Sequence, residues 1–404
     1  MRWPGRGGVR SAAGGTLLLA LVAGFVVAPV GGVATAVADE CSPSVTPVAP
    51  TAQVPWPQTA LRFPDLAPYA SAGAAKVKVA VIDSGIDVAT PQLAGAVDAA
   101  GSVSLVDPKT YPPTADALGH GTMVAGIIAA RARPGSGVVG LAPSAVSLLS
   151  IRAYRTCENE NAPIAQGIRE AVARGAKIVN ISAGSSTDTP DLAAAVQAAQ
   201  AAGVLVVAAA GNLGDQQNGD PPQYPAAYPG VVAVGAIGPD RAVTSYSEHG
   251  AYLGLTAPGG TAEAPVVGVG PSAAGVLASG VGTSFATPYV TATAALVWSR
   301  FPTLTAEQVR QRLYATADRM AAGAPDPGYG WGVVDPYAAL TTVAVPDAAD
   351  SGPAATPSPL TFAAAAPGSD ATGRALVVGG GGVLSAGGVA GVAWLARRRR
   401  RGAA

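Results

Sequence analysis

Histidine and cysteine are scarce in this chain of 404 residues, which contains two of each. Transition-metal sites are built mainly from several His and Cys side chains, and no Asp-rich loop has the pattern of a calcium site. The sequence therefore predicts no metal site and no cofactor. The scarcity of histidine also leaves few side chains that can act as a general base near neutral pH.

Charged residues are also few, at 12%, and they are unevenly distributed. Eight of the 25 basic residues are arginines at the two ends of the chain, which leaves 17 basic and 25 acidic residues between 39 and 374. Nucleic-acid binding needs a basic patch. This acidic central part therefore predicts no nucleic-acid partner.

The first 38 residues have the pattern of an export signal. Three arginines in the first ten residues precede an uncharged apolar stretch at 16–30, and Ala36-Val37-Ala38 follows as a small-residue cleavage site. This pattern predicts a signal peptide over 1–38, with an uncleaved anchor as the alternative. Without a paired-arginine signature, the general export route is favoured over the twin-arginine route.

Both cysteines, Cys41 and Cys157, lie downstream of the predicted cleavage site. An exported chain with an even number of cysteines favours a disulfide bond. Such a bond would join the N-terminal extension to a loop of the main domain. Two unpaired buried thiols are the alternative.

Two stretches are rich in proline and alanine. In the first, 39–75, this composition resists regular structure, so we expect an extended arm across the domain surface; a cleavable inhibitory propeptide is the weaker alternative. The second, 346–374, is predicted to be a flexible linker. Between them lies a domain predicted at 76–345.

The C-terminal end predicts a membrane anchor. Residues 375–396 are uncharged and long enough to cross a bilayer, and five arginines at 397–401 follow directly. Arginines of this kind mark the cytoplasmic side, so 397–404 would be a cytoplasmic tail and the main domain would lie outside the cytoplasm. A low-complexity tail is the alternative.

Strands and helices alternate through the domain. Continuous apolar strands separated by helices predict a mostly parallel sheet covered on both faces, which is a three-layer α/β fold. The predicted strands are 77–82, 147–151, 178–181, 204–209 and 231–234, and the main predicted helices are 120–130, 164–174, 192–202, 285–298 and 304–317.

Two polar side chains directly follow apolar strands. Asp83 ends the first strand and Asn212 follows the strand at 204–209. Functional groups of open α/β sheets collect at the carboxyl ends of the strands. Asp83 could orient an imidazole and Asn212 could donate to an oxyanion, although both residues are also ordinary turn formers.

Two further windows supply a base and a nucleophile. His120 lies between glycines at the start of a helix, and Ser284 follows the glycine-rich segment 278–282, also at the start of a helix. Alone, His120 would be structural and Ser284 a helix cap. The order Asp83, His120, Ser284 is one of the known orders of a catalytic triad, however, which favours catalysis.

These windows resemble the signatures of the subtilisin-like serine proteases. The matching segments are Asp83-Ser84-Gly85, His120-Gly121-Thr122 and Gly282-Thr283-Ser284-Phe285-Ala286-Thr287-Pro288, and the similarity extends over about 77–340. The resemblance implies a serine endopeptidase acting on protein or peptide substrates, with Asp83, His120 and Ser284 as the triad and Asn212 at the oxyanion.

The same resemblance implies where the substrate binds. The segment 180–184 would pair with the substrate backbone as an added strand, and the pocket beside the scissile bond would be small or apolar because no charge lines it. The implied substrate-binding residues are Ser182, Ala183, Gly184, Ala209 and Gly211.

A narrower likeness is to the mycosins, the membrane-anchored subtilases of actinobacterial type VII secretion systems. It is carried by the signal peptide, the proline-rich arm, the closing segment Gly332-Val333-Val334-Asp335-Pro336 and the C-terminal span. The likeness implies a single-pass protein of the cell membrane that processes secretion substrates. The alternative is a structural component of the secretion complex in which proteolysis is secondary.

Overall fold

The computed structural model describes residues 45–70, 76–154, 161–214, 221–271, 277–320 and 325–343. The predicted signal peptide, linker and membrane span lie outside the described residues, and so do Cys41 and Cys157 with their predicted disulfide bond. Among the residues that are described, no helix is long and apolar enough to cross a membrane.

A seven-stranded parallel sheet forms the centre of the domain, as the apolar strands predict. Two of its strands were not predicted: the two-residue β3 at one edge, and β8 at the other, where Gly and Pro interrupt the apolar pattern. The order is β3 (Val103–Ser104), β4 (Val146–Arg152), β2 (Val77–Asp83), β5 (Ile178–Ile181), β6 (Leu205–Ala209), β7 (Val232–Ile237), β8 (Leu253–Pro258).

Both faces of the sheet are buried. Successive residues of a strand point to opposite faces, and along β2 Val79 and Val81 belong to one buried cluster whereas Ala80 and Ile82 belong to the other. The successive apolar residues of this strand are therefore buried on both faces of the sheet.

Helices cover each face and complete the predicted three-layer α/β fold. On one face pack α3 (His120–Ala129) and α6 (Thr283–Arg300), and on the other α4 (Asn161–Ala173) and α5 (Pro190–Ala201). Nearly every residue of α6 is buried, as expected for a helix without a polar face. Two further helices, α7 (Ala306–Ala315) and α8 (Pro336–Thr341), follow α6.

The N-terminal extension has regular structure, so the prediction of an irregular arm is wrong. It contains β1 (Thr46–Val48), α1 (Trp56–Ala60) and α2 (Phe63–Ala70). Pro57 and Pro64 each occupy the second position of their helix. Proline is tolerated there because the first-turn N–H groups have no intrahelical partner.

The extension is part of the domain core rather than a surface arm. Leu61 and Leu66 are buried in the same cluster as α6. β1 pairs with β10 (Leu277–Gly280), which pairs with β9 (Val266–Val269), and the three form a second, antiparallel sheet. Since β10 precedes α6 directly, the extension supports the segment that leads to Ser284.

We expect Leu66→Ala to lower the free energy of unfolding by about 2–5 kcal/mol, because it leaves a cavity in a packed core. The midpoint of urea unfolding measures the change. Val54→Ala is the control, since Val54 is 54% exposed and its truncation should move the midpoint little. Equal effects of the two substitutions would contradict a place for the extension in the domain core.

Candidate active site

The parallel sheet and α3 bring Asp83 and His120 together. Asp83 is the last residue of β2, and His120 is the first residue of α3. Both side chains are buried, and His120 Nδ1 lies 2.7 Å from Asp83 Oδ1. A Cβ atom at Gly121 would stand 2.1 Å from the carbonyl oxygen of Gly85, so only glycine allows α3 to approach β2 this closely.

A second buried carboxylate, Asp116, organises the loop before α3. Its Oδ2 accepts hydrogen bonds from the backbone N–H and the hydroxyl of Thr122, at 2.9 and 2.8 Å, and its Oδ1 accepts from the backbone N–H of Gly119 at 3.0 Å. Ser84 Oγ lies 2.9 Å from Asp116 and 3.2 Å from Asp83 and can donate to either carboxylate. Sequence reasoning missed Asp116, whose only signal is its place four residues before His120.

The surroundings of His120 raise its pKa above the ordinary value of 6.5. Burial, the largest influence, lowers the pKa because it disfavours the charged ring. The adjacent Asp83 carboxylate and, more weakly, Asp116 act in the opposite direction and outweigh burial. The imidazolium form therefore persists to a higher pH than in an exposed histidine.

If neutral His120 is the general base, kcat/KM should fall as the pH drops through this raised pKa, so the acid limb should lie above pH 6.5. The stability from the imidazolium–Asp83 interaction has the opposite trend: it is present below the unfolded-state pKa and is lost as the pH rises through the folded-state pKa. A kcat/KM profile with a peptide substrate measures the limb. A limb below pH 6 would contradict the assignment.

Ser284 lies inside α6 rather than at its cap, so the interpretation of Ser284 as a helix cap is wrong. The helix begins at Thr283, and Gly282 is its N-cap. Ser284 Oγ donates a hydrogen bond of 2.9 Å to the carbonyl oxygen of Ser182, and Ser182 Oγ donates one of 2.8 Å to the carbonyl oxygen of Ser284. These two bonds fix the start of α6 against the end of β5.

The structure places Ser284 next to the Asp83–His120 pair without a direct hydrogen bond to it. The ring of Phe285, the neighbour of Ser284, lies 5.2 Å from the ring of His120. The hydroxyl of Ser284 is engaged by Ser182 instead. Bonds between a nucleophile and its base are often long or absent before the substrate binds.

Asn212 is oriented by Thr283. The side-chain oxygen of Asn212 accepts two hydrogen bonds of 2.9 Å, one from the Thr283 backbone N–H and one from the Thr283 hydroxyl. Since the oxygen is engaged on the α6 side, the exposed amide group is left with its Nδ2 donor for other partners. Sequence reasoning included Thr283 in a motif but did not foresee this contact.

The predicted substrate-binding residues lie at the carboxyl ends of two neighbouring strands. β5 ends at Ile181, so the segment Ser182, Ala183 and Gly184 lies just beyond it. Ala209 ends β6 and Gly211 follows two residues later. The two segments come from adjacent parallel strands, which places them side by side at the same edge as Asp83.

The prediction that no charge lines this pocket stays a prediction, but a buried carboxylate lies behind one of its segments. A Cβ atom at Gly211 would stand 2.7 Å from the buried carboxylate carbon of Glu248 and 2.4 Å from Cγ of the buried Gln223. These two polar side chains therefore back the Gly211 segment. Neither is near it in sequence, so no local pattern identifies them.

Across the described parts of the chain, no three His, Cys, Asp or Glu side chains lie close enough to hold a metal ion.

Comparison with known proteins agrees with this geometry. Residues 74–332 match the model of the Subtilase family. Subtilisin E of Bacillus subtilis is 38% identical over 265 residues, which are 65% of this chain and 66% of that protein. The chain thus spans just under two thirds of the length of this relative.

Solved structures give a second comparison. MycP1 from Mycobacterium smegmatis is 30% identical, with a TM-score of 0.63 over 80% of this chain and 92% of that one. The MycP3 protease from the type VII (ESX-3) secretion system is 32% identical, with a TM-score of 0.62 over 75% and 93% of the two chains. The family model matches most of the chain, and the seven-stranded parallel sheet agrees with that match. The chain belongs to the subtilase family of serine endopeptidases.

Proposed function

We propose that this chain hydrolyses peptide bonds with Ser284 as nucleophile, His120 as general base and Asp83 as the residue that orients His120. The observation that carries the proposal is the buried contact of 2.7 Å between His120 Nδ1 and Asp83 Oδ1 beside the start of α6. This contact keeps the proton on Nδ1, so that Nε2 is available to accept the proton of a serine hydroxyl.

The reaction begins when the Ser284 hydroxyl turns from Ser182 towards His120. Ser284 Oγ attacks the scissile carbonyl carbon while His120 accepts its proton, and the imidazolium is stabilised by Asp83. His120 then gives the proton to the leaving amine. Water attacks the acyl-enzyme while His120 accepts its proton, and His120 returns that proton to Ser284 as the product leaves.

The oxyanion of the tetrahedral intermediate is stabilised by two donors. One is Asn212 Nδ2, whose amide is oriented through Thr283. The other is the backbone N–H of Ser284, which lies in the first turn of α6 and so has no partner within the helix. A fixed donor of this kind stabilises the transition state more than the substrate.

The substrate backbone lies along Ser182, Ala183 and Gly184 as an added strand. Gly184 and Gly211 present little side-chain bulk, and the buried Gln223 fills the space behind Gly211. These segments carry no charged residue and Glu248 is buried behind them, so the residue before the scissile bond is small or apolar. Cleavage of a peptide library by the full chain, with sites mapped by mass spectrometry, tests this preference. Preferred cleavage after Arg, Lys, Asp or Glu would contradict it.

For its place in the cell, we propose a single-pass membrane protein with the peptidase domain outside the cytoplasm. The support is the sequence pattern at 1–38, 375–396 and 397–401. A reporter fused after Ala404 tests the orientation. A reporter that is active only in the cytoplasm should be active in this fusion. Activity of an exported reporter at this position would contradict the proposal.

The similarity to MycP3, described as a protease from a type VII secretion system, supports a role in such a system. We propose that the chain processes substrates of that system. Ser284→Ala should then abolish processing. The alternative, a structural role in the membrane complex, predicts that secretion survives Ser284→Ala but stops when the whole chain is deleted.

A further inference from the structure

Tyr154 contacts the proposed triad but has no role in the mechanism above. Its hydroxyl donates a hydrogen bond of 2.9 Å to Asp83 Oδ1. This is the same oxygen that lies 2.7 Å from His120 Nδ1. The phenol and the imidazole therefore share one carboxylate oxygen, and the phenol acts on the negative charge to which His120 is exposed.

The fold holds Tyr154 in this position. β4 pairs with β2 so that Arg152 is opposite Asp83, and the Ala153 N–H donates a bond of 2.8 Å to the Asp83 carbonyl oxygen. Tyr154 is the next residue, and its half-buried ring packs against the cluster between the sheet and α4 and α5. The strand pairing thus places the hydroxyl beside the carboxylate.

Few charges balance Asp83 at this point. Among the described residues, His120, Tyr154 and Asp116 interact electrostatically with Asp83, and Arg152 lies opposite it on β4. Arg152 Nη1 donates to the carbonyl oxygens of Pro112 and Ala115, at 3.4 and 2.8 Å, rather than to either carboxylate. Stabilisation of Asp83 therefore depends on His120 and on neutral donors.

Tyr154 is suited to be such a donor. Burial, then the charge of Asp83 and its hydrogen bond, raise the pKa of Tyr154 well above 10. The hydroxyl therefore stays protonated over the pH range in which serine peptidases are active. A hydrogen bond to an ionised carboxylate stabilises the charge and weakens its pull on a neighbouring cation.

We propose that Tyr154 is a positioning residue that sets the basicity of His120 by sharing the Asp83 oxygen with it. The inference rests on the proposed function, in which Asp83 and His120 act as a pair. With the phenol present, His120 is a weaker base than Asp83 alone would make it. His120 then releases its proton more readily to the leaving amine.

Tyr154→Phe tests the inference because it keeps the ring and removes only the hydroxyl. In the full chain, we expect the acid limb of kcat/KM to move to higher pH by roughly half a unit, with KM unchanged. Tyr228→Phe is the matched control, since Tyr228 donates a hydrogen bond of 2.5 Å to another carboxylate, Asp188, and its loss should leave the limb in place.

A second measurement separates this inference from the proposed function. The chain has only two histidines, so NMR with isotope-labelled histidine can follow His120 in a Ser284→Ala background, with His249→Gln for assignment. An upward shift of the His120 midpoint on Tyr154→Phe supports the inference. An unchanged or lower midpoint, with the other histidine signal native, overturns it, and it does so whether or not the wild-type chain hydrolyses peptides.

Discussion

Ser284→Ala is expected to lower kcat by about a millionfold, the size of loss found when a subtilisin loses its nucleophile. The reason is that the substitution removes the atom that attacks the scissile carbonyl, which leaves only the contribution of the oxyanion donors and of substrate binding. Steady-state kinetics of the full chain on a peptide substrate measures the loss.

The companion substitution is His120→Ala, which should reduce kcat about as much, since nucleophile and base act as one unit and their losses do not add. The double variant should therefore be no slower than either single one. An additive loss in the double variant would contradict a shared mechanism. Ser279→Ala, in β10 just before the nucleophile, is the control and should retain activity.

Asn212→Ala is expected to lower kcat by about a hundred- to a thousandfold and to change KM little, because in the proposed mechanism the amide donates to charge that develops only in the transition state. The same steady-state assay measures the effect. A change confined to KM would mean that Asn212 binds the substrate without stabilising the oxyanion.

Asn212→Asp separates the role of Nδ2 as a donor from the role of Oδ1 as the acceptor that Thr283 orients. An aspartate can still accept the two hydrogen bonds from Thr283 but has no Nδ2 donor when ionised. We expect it to lose at least as much activity as Asn212→Ala while its thermal unfolding stays near that of the wild type. Full activity of Asn212→Asp would contradict an oxyanion role.

Local pattern was enough to predict the centre of this fold. The strands β2, β5 and β6 are apolar apart from Lys78, Asn180 and the carboxylate Asp83 that ends β2. A parallel sheet follows from such strands, and their carboxyl ends must then meet at one edge. The short distance between Asp83 and the segment 182–184 therefore follows from the parallel pairing of β2 and β5, which the sequence predicts.

Contacts between distant segments could not be predicted in this way. Tyr154 and Thr283 form hydrogen bonds to residues 71 positions away, and Asp116 contacts Ser84, 32 positions away. Nothing in the sequence around these three residues shows these contacts. The extension misled for a different reason: two of its prolines, Pro57 and Pro64, occupy first-turn positions, where they are compatible with helix. Composition alone does not distinguish prolines at the start of a helix from prolines in an irregular segment.

The central claim, that Ser284 is an activated nucleophile, is tested most directly by a fluorophosphonate probe on the purified full chain. Such probes form a covalent bond with a serine that a base has activated. The account predicts one labelled residue, Ser284 by peptide mapping, with labelling abolished in both Ser284→Ala and His120→Ala. A folded chain that is not labelled, or that is labelled at a different serine, would contradict it.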